Sequence, residues 1–423
     1  MNFLRFLALT ACLTFSSFAA AQAATGSPEP NSAAFEQKLR EARLDLRVEN
    51  EKFSGTAAPV LQAAISEAQF VLIGEDHLTR EIPQFAAAVC DVMAPHGLSA
   101  MALEVGPRAA EFLSASLNKP DRLARMAALT RRYPYSVAFL NMQQENDLAA
   151  HCAQVAHRSH VQLWGLDQEF VGSAGWLLDQ ILATHPGPAA TAAIKTLKSE
   201  EERDAADAKQ TGDSTKIFLM AVPNAELKAA AAALKRDGSP RANTIFRELM
   251  DSHKIYLENL QGSPESNSDR ARLLKQNFRR NLGKATAGGE KQRVLVKFGD
   301  WHLYKGFNPL RQRDLGNYIA EMADGQETHS LHICILGAKG MHRLMTGYEK
   351  PDQLVNFVMD EDSDYRWLKP AIENQLADAW TMYDLRKLRF QKLGPIDEDV
   401  ERMIYGYDLL VIIPELTPAD PVQ

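Results

Sequence analysis

Six short stretches of the chain are dominated by apolar residues: 70–74, 100–105, 161–166, 294–299, 331–336 and 409–413. Several are nearly continuous in Val, Ile and Leu. That pattern predicts strands buried on both faces, as in a parallel sheet covered by helices. Between the first two, Ile82, Phe85, Ala86, Val89 and Met93 fall at helical spacing, and Pro95-His96-Gly97 ends the run. Strand, helix, strand is a βαβ unit. Residues 145–157 form a further helical candidate leading into Val161. The expected fold class is therefore α/β, with a mostly parallel central sheet flanked by helices.

Two regions read differently. Residues 34–67 mix charged and apolar positions at helical spacing. Residues 176–289 are rich in Ala, Lys, Glu and Arg, with turn signals at Gly212-Asp213, Asp237-Gly238-Ser239-Pro240 and Gly262-Ser263-Pro264. Their expected content is a helical cap inserted between the third and fourth strand-like runs. The charge run at 198–209 reads as a solvated helix face. Residues 36–423 are expected to form one domain, preceded by a Pro/Ser/Asn linker at 24–35.

Composition narrows the function classes. The chain has 423 residues, 45% hydrophobic and 24% charged, with net charge −7. No basic block interleaves with aromatics, which argues against a nucleic-acid partner. Residues 1–23 have the layout of a signal peptide: Arg5, an apolar run over 6–18, then Ala21-Gln22-Ala23. Leu9-Thr10-Ala11-Cys12 also matches a lipoprotein box, but its apolar run is short, which favours cleavage near Ala23. The expectation is an exported protein, periplasmic or secreted, with no transmembrane segment after the leader. Cys90, Cys152 and Cys334 follow at scattered spacing, with no Cys-x-x-Cys pair and hence no thiolate zinc site. An oxidising compartment allows one bridge among them, and Cys334 reads as a small buried hydrophobe.

The chemistry gathers where the strand-like runs end. The first closes on Gly74-Glu75-Asp76-His77, and the fourth repeats the grammar as Gly299-Asp300-Trp301-His302, with Lys297 inside the run. The second contains Glu104, a carboxylate that is costly in an apolar stretch unless paired or working. The third ends in Asp167-Gln168-Glu169. If these strands are parallel, the acids and imidazoles share the rim where α/β sheets place their ligands. The catalytic candidates are His77, Glu75, Glu104 and His302; Asp76, Asp167, Asp300 and Lys297 are candidates for contacting substrate. Histidine beside carboxylate can activate water. His77, Glu104 and His302 also suit a divalent transition metal. Both arrangements point to hydrolysis of a small-molecule or peptide substrate. The bland alternatives are ion pairs of Glu75 or Glu104 with Arg80 or Arg108, and a helix cap at Asp167. Glu81 reads as a capping or surface acid. His151, His157 and His160 lack a strict ligand register, and Ser173 lacks the strand-to-turn setting of a nucleophile elbow.

At these residues the chain resembles the erythromycin esterase-like/ChaN-like group and, more distantly, the TraB/Tiki proteins. The stretch Gly74 to Glu81 is similar to the esterase pattern Gly-Glu-x-x-His-Gly-x-x-Glu, with one residue fewer before the histidine. It is equally similar to the ChaN-type Gly-Glu-x-His. Leu103-Glu104 matches the second-strand glutamate, and Trp164-Gly165-Leu166-Asp167 matches the Gly-Phe-Asp strand end. Residues 270–281 resemble the Arg-rich helix before the late histidine, here His302. The resemblance implies His77 as general base, Glu75 and Glu104 as its carboxylate partners, and His302 as a second imidazole. The esterases are metal-independent hydrolases, so no cofactor is expected. The Tiki group carries two Gly-x-x-His motifs and a glutamate as metal-dependent proteases, and ChaN is haem-linked without turnover; both supply alternatives. The sequence departs from the esterase pattern at Leu78, where the family has glycine, and no motif singles out the family's active-site arginine.

Overall fold

The computed structural model describes residues 31–156, 161–289, 291–344 and 353–423. The leader, Cys12, His157 and His160 lie outside them. Eleven strands are present among the described residues: β1 (Arg43–Glu49), β2 (Lys52–Ser54), β3 (Phe70–Glu75), β4 (Leu98–Leu103), β5 (Gln162–Gly165), β6 (Arg293–Gly299), β7 (Ser330–Gly337), β8 (Lys339–Leu344), β9 (Gln353–Val358), β10 (Trp380–Asp384) and β11 (Leu409–Ile413). Nine form one sheet in the order β2-β1-β10-β11-β7-β3-β6-β4-β5, and β8 pairs with β9. From β11 to β5 every neighbouring pair is parallel; β10, β1 and β2 add an antiparallel flank.

All six predicted strands form. On β3, Val71 and Ile73 enter one core while Phe70 and Leu72 enter the other, so alternate residues face opposite helical layers. That two-sided burial is why the run is continuously apolar. The helix Glu81–Met93 forms over its predicted span, and Gln143–Val155 begins two residues before the expected start. The helical reading of 34–67 is corrected: helices Ala33–Ala42 and Ala58–Glu67 enclose β1 and β2. Their strands sit at the sheet edge, where half-exposure dilutes the apolar signal. Between β5 and β6 the chain is helical, from Ala174–Leu182 through Pro188–Thr211, Asn224–Asp237 and Pro240–Leu260 to Glu265–Ala285.

Cys90 and Cys152 are joined, tying the helix Glu81–Met93 to Gln143–Val155 on one face of the sheet. Cys334, on β7, is free and buried.

Candidate active site

Strands β3, β6, β4 and β5 are consecutive in the sheet and parallel, so their carboxyl ends open on one rim. Glu75 pairs in register with Gly299 across β3 and β6. His77 follows two residues beyond Glu75, and His302 ends a single 3₁₀ turn, Asp300–His302, after β6. Glu104 stands one residue past β4, and Asp167 two past β5. All four catalytic candidates are buried.

Both imidazoles are held in the same way. His77 Nδ1 lies 2.9 Å from Glu75 Oε1, and His302 Nδ1 lies 2.8 Å from Asp314 Oδ2. Each carboxylate is placed to accept a hydrogen bond from Nδ1–H, the tautomer that leaves Nε2 as the basic nitrogen. Those two Nε2 atoms converge on Glu104, His77 at 3.4 Å from Oε2 and His302 at 3.7 Å from Oε1. Glu104 also accepts from Arg270 Nη2 at 2.7 Å and from the Gly299 backbone N–H at 2.6 Å. Burial alone would raise its pKa. His77, His302 and Arg270 outweigh that and hold the carboxyl well below its usual range, so it is an anion at neutral pH.

Two buried cations support this cluster. Arg270, on the helix Glu265–Ala285, is clamped by Asp167 through Nε at 3.0 Å and Nη2 at 2.5 Å. Lys297 reaches Glu75 and Glu145, each at 2.6 Å. The ion pairs weighed for Glu75 and Glu104 are therefore made with Lys297 and Arg270. Arg80 pairs with Asp420, and Arg108 with Glu111 and Glu248. Asp76 and Asp300 lie on the other flank of the rim. Asp76 Oδ2 is 2.8 Å from His342 Nε2, and Tyr365 donates to Asp300 Oδ1 at 2.9 Å. Burial pushes the Asp300 pKa up to about 7, against the Tyr365 hydrogen bond and with help from Asp76.

The motif glycines are required by close approach. A Cβ on Gly299 would stand 2.8 Å from His77 Nε2, and one on Gly74 would stand 2.2 Å from the Tyr407 hydroxyl. Leu78, where the resembling family has glycine, keeps the left-handed backbone a glycine would favour, at φ 63°. Its carbonyl accepts from the Ala419 N–H at 2.8 Å, and Thr79 bridges to Pro418, so the 417–419 segment holds the conformation.

Solved structures share this architecture. A histidine mutant of the erythromycin esterase EreC in its open conformation superposes with TM-score 0.62 at 15% identity, over 90% of this chain and 99% of that one. The chain has the erythromycin esterase fold. A Bacillus cereus protein matches with TM-score 0.57 at 15% identity, over 92% of this chain and 98% of its own. A succinoglycan biosynthesis protein matches with TM-score 0.56 at 14% identity, over 91% and 97%. A haem-bound ChaN of Campylobacter jejuni reaches only TM-score 0.27, too low to argue a common arrangement. No protein-family model and no curated protein matches the sequence.

Within this esterase fold the site contains groups that sequence reasoning missed. Arg270 was legible only as part of an Arg-rich helix. Asp314 had no signal beyond its place before a helix, where it also accepts from the Leu315 N–H at 2.7 Å. Glu145, and Phe139 stacked on the His77 ring at 4.3 Å, come from segments with no motif. Glu81 is a first-turn acid that accepts from the Thr417 N–H and hydroxyl. His151 pairs with Asp91, and Ser173 is buried before the helix Ala174–Leu182. Among the described residues no three or more of His, Cys, Asp and Glu are grouped to hold a metal ion, and Arg270 already brings a cation to Glu104.

Proposed function

We propose that the protein is an exported hydrolase that cleaves an ester, lactone or amide with a water activated at His77. The observation that carries the reading is the convergence of two carboxylate-held imidazoles on one ionised glutamate. Glu75 accepts from His77 Nδ1–H, so Nε2 takes the proton of the attacking water. The hydroxide oxygen bonds to the substrate carbonyl carbon. Glu104, an anion beside His77, stabilises the imidazolium that this step creates. The guanidinium of Arg270 offers positive charge to the developing oxyanion. The proton taken by His77 Nε2 passes to the leaving oxygen or nitrogen as its bond to carbon breaks, with His302, oriented by Asp314, as the second imidazole beside Glu104. Lys297 and Asp167 act as positioning residues, the first on Glu75 and the second on Arg270. The disulfide between Cys90 and Cys152 supports export, since such bonds persist in oxidising compartments.

The test is a panel of esters, lactones and amides, followed by single turnover of any cleaved substrate in water labelled with heavy oxygen. Label in the released acid on the first turnover is expected for direct attack by water. Label entering only on later turnovers would mean that a protein carboxylate attacks first, and cleavage of nothing in the panel would remove the support for hydrolysis.

A further inference from the structure

The helix that sends Arg270 inward carries basic residues on another face. Arg272, Lys275, Gln276 and Arg279 follow the i, i+3, i+4, i+7 spacing that places side chains on one side of a helix. They line a cleft of about 390 Å³, and Gln312 and Arg313 from the loop ahead of Asp314 line it too. A second hollow of about 310 Å³, lined by Gln276, Arg279 and Arg280, continues it along the helix. We infer that this groove binds a small polyanion, a molecule with two or more phosphate or carboxylate groups.

Three observations carry the assignment. Among the described residues no acid lines either hollow, although the chain as a whole has net charge −7. Arg272 is paired with Asp269, but among the described residues Lys275, Arg279 and Arg313 have no ion pair. Gathering like charges without counter-charge is unfavourable, and a bound anion relieves it. The groove is also built from two elements. Lys275 Nζ donates to the Arg313 carbonyl at 2.7 Å, and the Arg313 guanidinium lies 5.0 Å over the exposed Phe307 ring. A solvated helix face would present its cations on one side only, whereas here Arg313 adds a cation from a second element. Guanidinium forks match phosphate and carboxylate oxygens pairwise, and the volume is that of a small-molecule site. The groove uses none of the residues assigned to hydrolysis, so it stands apart from that reading.

The experiment is calorimetric titration of the full chain at low salt with inorganic pyrophosphate and, separately, with citrate. Wild type is compared with an Arg279→Gln/Arg313→Gln double variant whose melting temperature is checked first. One equivalent of pyrophosphate is expected to bind, at least about tenfold more weakly in the double variant, and more weakly as salt rises. Binding of pyrophosphate alone marks a phosphate ligand, of citrate alone a carboxylate ligand, and of both a site selecting charge. Binding of neither, or equal binding by wild type and the folded double variant, overturns the proposal.

Discussion

A methyl group on Gly299 would stand 2.8 Å from His77 Nε2 and 3.5 Å from Glu104 Oε2. The Gly299 backbone is at φ −53°, a conformation alanine adopts freely, so Gly299→Ala tests sterics at the imidazole and little else. The expected result is a fall of about tenfold or more in kcat with little change in the denaturant midpoint. Lys297 presents the opposite case. Lys297→Met would leave Glu75 and Glu145 buried without their shared cation, and it should lower unfolding free energy by roughly 3–5 kcal/mol. Urea titration checks it, with Lys297→Arg as the variant that keeps the charge. At this scale Glu75, His77, Glu104 and His302 were legible because acids and imidazoles stood out at the ends of apolar runs. Lys297 was legible as an oddity but not in its place, since only the fold brings Glu145 to it. Arg270 and Asp314 were hidden for the same reason: helices far along the chain deliver them, and no spacing encodes that.

The elements that were easiest to read are those buried on both faces. β3, β4, β6, β7 and β11 are mostly apolar because residues on both of their faces are buried, whereas β5 lies at one edge of the sheet and β1, β2 and β10 on the antiparallel flank. There β1 alternates charged and apolar residues from Arg43 to Glu49, the period of a half-buried strand, a signal that the helical reading of 34–67 passes over. The link between the helices Glu81–Met93 and Gln143–Val155 was open in the sequence, since three cysteines allow several pairings. Its closure spans 62 residues, and reducing it should cost roughly 2–4 kcal/mol. The matching observation is a lower melting temperature after reduction, reproduced by a Cys90→Ala/Cys152→Ala variant. An unchanged melting temperature would mean that the helices are held by packing alone.

Over the whole molecule, buried acids set the pH response. Burial pushes Glu169 up to about 8 and Asp300 up to about 7, so at neutral pH Glu169 is mostly protonated in the fold and Asp300 is midway through its titration, whereas both are ionised in the unfolded chain. Stability from a raised acid is complete below its ordinary pKa and is lost as pH climbs through the folded value. His332 acts in the other direction: burial lowers it from 6.5 to about 3, so its contribution is already full above pH 6.5. Stability should therefore fall as pH rises from 6.5 to about 8, and Glu169→Gln should flatten the slope in urea midpoints. Turnover measures the role of His77 as the base. Wild type, His77→Asn and His302→Asn would be compared on the best substrate of the ester, lactone and amide panel, each protein first shown to be folded by its thermal transition. His77→Asn is expected to lose about 10²–10⁴ in kcat/KM without loss of fold. A folded His77→Asn variant as fast as wild type would contradict that role.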